Sequence, residues 1–66
     1  MNKGHAQRMA ELRALFAGRE ELIDRGQFDA RDHRRLRWAA DRHHVLVQRR
    51  QTSPTDIETV YVRVSF

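Results

Sequence analysis

The chain has no cysteine, one proline and one lysine, and nowhere strings together more than four apolar residues. Without cysteine there is neither a disulfide framework nor a thiolate metal site, and a reducing, cytoplasmic setting is the expectation. The longest apolar run, Ala14–Ala17, is far too short for a membrane span or a secretory signal. The three glycines, Gly4, Gly18 and Gly26, are too scattered to form a phosphate-cradling loop. Ser53 and Ser65 stand in no nucleophile context, and Glu20, Glu21 and Asp24 read as one solvated helix face. No catalytic residue, no cofactor and no enzymatic activity are therefore expected. Histidines His5, His33, His43 and His44 form no metal-ligand spacing, because neighbours on a helix point about 100° apart and no Cys, Asp or Glu completes a set. No metal is expected either.

What the chain does have is arginine, and in one place. Seven arginines lie in RDHRRLRWAADRHHVLVQRR, residues 31–50, against Asp32 and Asp41, a net 7 − 2 = +5. The whole chain is +4, so the remaining residues sum to 4 − 5 = −1. A field focused in this way attracts DNA or another polyanion, or an acidic protein surface. Arginine also pairs phosphate and carboxylate in bidentate fashion and stacks on aromatic rings. At 66 residues the chain is one domain of marginal stability. A homodimer, or a place as a subunit of a complex, is the natural way to complete its core.

Apolar periodicity divides the chain. Residues 1–4 read as an unstructured start. From His5, the residues Met9, Leu12, Leu15, Phe16, Leu22 and Ile23 fall within roughly 140° of one another at the helical repeat. The stripe stays in phase across Gly18. One helix over residues 5–25 therefore fits best. A break near Gly18, with Arg19–Asp24 as a second short helix, is the alternative. Gly26 suits a helix stop. Asp29 suits the N-cap of the next helix, Asp32 its first turn, and Phe28 a staple against that turn. This arginine-rich helix is placed at residues 29–43. The period then shortens to two. Val45 and Val47, then Val60, Val62, Val64 and Phe66, alternate around the turn-forming QTSPTD, which reads as a β-hairpin over 45–66. The fold expected is α+β: two (or three) N-terminal helices followed by a C-terminal antiparallel β-hairpin, in a single domain over 1–66. The strand pattern runs to Phe66, which is expected to be ordered.

With Leu36 at the centre of the inward face, His33, Ala40 and His43 lie beside it and Ala39 at its edge. Trp38 then points about 160° away, with Arg31, Arg34, Arg35 and Arg42 within about 60° of it. Arg34 and Arg42, four residues either side of Trp38, are spaced for cation–π contact. Arg49 and Arg50 are placed at the hairpin tip, and Arg37 joins neither group. Two readings of Trp38 stand: a contact residue among its arginines, or a core residue whose neighbours cover it with their stems.

The order of parts resembles a winged-helix DNA-binding domain, a family with a recognition helix followed by a two-stranded wing. GREELIDRGQFDARDHRRLRWAADRHHVLVQRR is similar to its helix–turn–helix running into the first wing strand, and VYVRVSF to the second. The resemblance implies that Arg31, Arg34, Arg35 and Trp38 lie in or beside the major groove, and that Arg49 and Arg50 touch backbone phosphates. A helical hairpin carrying a β-hairpin fits the same pattern and implies no particular function. The expected function is a small DNA-binding regulator. The alternatives are a non-enzymatic interaction protein, such as a phage or mobile-element inhibitor of the anti-CRISPR kind, and a structural subunit.

Overall fold

The computed structural model describes residues 4–66. The element order is α1 (His5–Phe16), β1 (Glu21–Asp24), α2 (Ala30–Asp41), β2 (Val45–Gln51) and β3 (Ile57–Arg63). Of the expected unstructured start, residues 1–3 lie outside the described residues, and Gly4 is the N-cap of α1. The fold is α+β with the helices leading, but its sheet has three antiparallel strands in the order β1-β3-β2.

The long first helix is corrected to a helix and a strand. α1 stops because Ala17 takes left-handed geometry (φ 51°) and returns its N–H to Arg13 O at 2.8 Å. Gly18 follows at φ 80°, and Arg19 N–H reaches Phe16 O at 2.9 Å. Two successive positive φ values closed by that bond make a tight turn of the type I′ kind, which glycine favours. Residues 19–24 then do not resume a helix. Leu22 pairs with Tyr61 and Ile23 with Val60, and Arg63 N–H bonds Glu20 O at 2.8 Å. Four residues, ELID, carry too little pattern to separate the two periods. The hydrogen bonds offered by β3 decide between them. Gly26 (φ 85°) accordingly closes the turn after a strand rather than a helix, with its N–H on Asp24 Oδ1 at 3.0 Å.

α2 begins as its sequence predicts. Asp29 Oδ1 accepts from Asp32 N–H at 2.8 Å, and Asp32 reciprocates to the N–H of Asp29 at 3.4 Å, a capping box. The cap bond from Asp32 N–H holds the Asp29 carboxyl below its ordinary value. Phe28 packs edge-on to His33 (6.0 Å between ring centroids) and also to Tyr61 (5.9 Å), so the staple ties α2 to the sheet. The helix ends with His43 at φ 61° and His44 N–H on Ala39 O at 2.9 Å. It is turned from its expected setting. Ala39 is fully buried beside Leu36, Arg35 is half-buried, and His33 and His43 are exposed.

The core joins Met9, Leu12 and Phe16 of α1, Leu36 and Ala39 of α2, and Leu22, Val45 and Tyr61 of the sheet. Complete burial of Leu12, Phe16 and Leu36 contributes roughly 1.5–3 kcal/mol each. The inward residue of β3 is Tyr61 rather than its valines. Val60, Val62 and Val64 alternate onto the opposite, outer face. Residues 64–66 leave the strand, and Phe66 folds back edge-on against Phe16 at 5.0 Å. Val60 is nonetheless fully buried. Glu21 of β1, opposite Val62, and Arg50 of β2, opposite Glu58, form a bidentate ion pair (3.0 and 2.6 Å) that crosses β3 diagonally on the face where Val60 lies between those positions. The helices cover one end of the sheet, and the β2–β3 hairpin extends beyond them in a molecule 44 × 22 × 20 Å in extent. Among the described residues, no helix is long and apolar enough to cross a membrane.

Candidate nucleic-acid interface

The seven arginines of residues 31–50 separate into three groups. Arg35 is tied down: its Nε donates to Glu11 Oε2 at 2.9 Å and its Nη1 to Asp32 Oδ1 at 3.0 Å, joining α2 to α1. These carboxylates, Glu11 foremost, raise its pKa above the usual guanidinium value. Arg50 is tied down likewise. Beyond Glu21, its Nη2 donates to Gln48 Oε1 at 3.0 Å. It lies on the strand opposite Glu58 rather than in the turn at 52–56. Glu21 is held below its ordinary carboxylate value chiefly by the hydrogen bonds it accepts from Arg50, and Arg50 is raised by the same contact with Glu21. Both arginines thus serve ion pairs within the fold, and neither stands on the face around Trp38.

The second group surrounds Trp38. The indole is half-buried and packs on the core cluster. The Arg42 guanidinium sits over it at 4.5 Å and that of Arg8 at 5.2 Å. His44 stacks on it at 5.8 Å and 29°, and His5 leans on it at 5.7 Å. Arg42 Nη1 also donates to Trp38 O at 3.3 Å, and His44 Nδ1 lies 3.1 Å from Ser65 O. Trp38 is therefore core on one side and cation-covered on the other, which unites the two readings of it. Arg42 makes the expected i,i+4 contact. The corresponding place on the other side is filled by Arg8 of α1, not by Arg34. His5, Arg8 and His44 escape sequence reasoning because they come from other elements, and no periodicity within α2 points to them.

The third group faces water. Arg31, Arg34 and Arg37 are exposed along the outward side of α2 at three-residue steps, and Arg42 of the second group, exposed although it lies over Trp38, adjoins them at the helix end. Exposed Asp41 is the one acid of α2 left on that side, since Asp32 is committed to the cap and to Arg35. Arg37, assigned to no group by sequence, belongs here. Arg49 is exposed on β2, opposite Thr59. Residues 19–24, which the winged-helix resemblance takes as the first helix of a helix–turn–helix, form β1, so α2 is preceded by a strand.

No protein-family model, no curated protein and no solved structure matches this chain.

Proposed function

We propose that the protein binds the phosphate backbone of duplex DNA, acting as a small non-enzymatic DNA-binding regulator through the outward side of α2. The observation that carries this reading is the division among its arginines. Arg35 and Arg50 are consumed by acids, whereas Arg31, Arg34, Arg37 and Arg42 stand exposed on one helix side, with Asp41 the acid of α2 on that side and Asp29 of the cap near Arg31. Rows of guanidinium groups at helical spacing pair phosphate oxygens without reading sequence. Arg49, on the hairpin that follows α2 directly, extends the same positive field. Backbone binding of this kind needs no helix–turn–helix and no major-groove readout.

With about five phosphates neutralised, log K should fall by about 4.5 per decade of salt, or about 500-fold between 50 and 200 mM. The test is titration of a fluorescent duplex at low salt. Wild type should bind below about 100 μM. The triple variant Arg31→Ala/Arg34→Ala/Arg37→Ala should bind far more weakly and with a shallower salt slope. The control Arg19→Ala/Arg25→Ala, which removes exposed charge from the flanks of β1, should change little. Absence of wild-type binding in this range would overturn the proposal and return the arginine row to an acidic protein surface.

A further inference from the structure

We infer that β2 is a self-pairing edge, and that two copies of this chain join through it into one continuous six-stranded antiparallel sheet. The parity of the β2–β3 ladder carries the argument. Thr52 N–H bonds Asp56 O at 3.0 Å and Val64 N–H bonds His44 O at 2.9 Å, and both bonds continue the β2–β3 register. Hydrogen-bonded pairs alternate along an antiparallel ladder. Residues 46, 48 and 50 therefore turn their backbone groups to β3, and Val45, Val47, Arg49 and Gln51 turn theirs outward. That edge is seven residues long and free of proline, and Leu46 and Val47 on it are half exposed (49% and 50%). Such an edge is a template for a further strand. The opposite edge, β1, is four residues long and offers only Glu21 and Ile23 outward by the same parity.

The sequence of β2 is self-complementary in one two-fold register, centred on Gln48. There Val45 faces Gln51 of the second copy, Leu46 faces Arg50, Val47 faces Arg49 and Gln48 faces itself. All four outward residues are paired and no arginine opposes an arginine. Centring on Arg49 would set that arginine against its own copy, which is unfavourable. Centring on Val47 or Leu46 would strand Gln51, or Gln51 and Arg49. A second copy is therefore the occupant that this edge fits. Opposite residues in a ladder point to the same side of the sheet, so the dyad runs perpendicular to it. Both helical layers, with both α2 arginine rows, then lie on one face. The inference stands apart from DNA binding, since it concerns the protein without nucleic acid.

Absence of native cysteine makes the register directly readable. Sedimentation equilibrium of the chain alone should show a dimer, with Val47→Pro a folded monomer under the same conditions. Proline at Val47 removes an outward N–H that β3 does not use, so circular dichroism should be unchanged. In mild oxidant, Gln48→Cys should form a disulfide-linked dimer at least about tenfold faster than Val47→Cys or Arg49→Cys. Only residue 48 comes within bridging distance of its own copy. A wild-type monomer up to about 1 mM, a dimer indifferent to Val47→Pro, or equal oxidation of the three variants would each overturn the inference. An arginine-row variant that loses duplex binding but keeps the dimer would leave it intact.

Discussion

The two halves of the β2–β3 hairpin share strands, register and alternation, yet they are held by different forces. At the helical end, Val45 and Tyr61 face α1 and α2 and are buried. At the far end the same side of the strands presents Ile57, 65% exposed, and on the edge strand Val47, directly opposite buried Tyr61, is already 50% exposed. Nothing in the local sequence separates the two ends, since a valine two residues from a buried valine has the same pattern and propensity. The difference is that the helices reach only one end of the hairpin, and there cover central β3 more fully than edge strand β2. The far half relies on its ladder, on the Ser53 hydroxyl accepting from Asp56 N–H at 3.1 Å in the turn, and on the Arg50–Glu21 clasp across the outer face.

The largest expected effect tests that contrast at its extremes. Phe16→Ala leaves a cavity between α1 and Phe66 and should cost about 3–5 kcal/mol, enough to unfold much of so small a protein. Val47→Ala should stay within about 0.5 kcal/mol for the monomer. Urea denaturation of the two variants measures this at concentrations below any self-association. Equal effects would mean that the β2 edge at Val47 is covered as well as the core.

A smaller effect probes the turn that allows the helical end to close. Gly18→Ala places a Cβ at φ 80° and should destabilise by about 1–2 kcal/mol. Ala17→Gly removes the same strain at φ 51° and should stabilise by up to about 1 kcal/mol. A lower thermal midpoint for Gly18→Ala together with a higher one for Ala17→Gly would confirm that both residues are left-handed. The reverse signs, Gly18→Ala stabilising and Ala17→Gly destabilising, would point to a helix running through Gly18, where alanine is favoured over glycine.

The smallest effect compares the ends by acid. Asp29, capping α2, and Glu21, clasped by Arg50, both have folded pKa values below their ordinary ones, 3.8 and 4.5. Their contributions are therefore complete above the ordinary values and disappear as pH falls through the lower folded ones. The urea midpoint should hold from pH 7 to about 5 and decline below about 4. Glu21→Gln should make that decline shallower. It should also quicken amide exchange in β1 and the middle of β3 while leaving α2 unchanged.

Much of the fold is legible because its signals are local. The Asp29 cap, the Phe28 staple, the QTSPTD turn and the change of period after His44 each occupy a few adjacent residues and mean the same in any context. β1 is illegible because Leu22 and Ile23 continue the α1 stripe as well as they form a strand. The candidate site is legible in its charge but not in its membership. The acids that claim Arg35 and Arg50 are 24 and 29 residues away, at Glu11 and Glu21. Arg8, His5 and His44 reach Trp38 from outside its helix.

By itself the sequence determined that positive charge gathers between residues 31 and 50, that an amphipathic helix opens the chain, and that two alternating strands close it. Those properties belong to composition and to residues within a turn or two of one another. Only the tertiary structure decided which arginines are spent and which remain, that ELID joins the sheet, and which half of the hairpin meets the helices. These outcomes depend on hydrogen bonds and charges from distant segments, and on where a short helix ends over a longer strand.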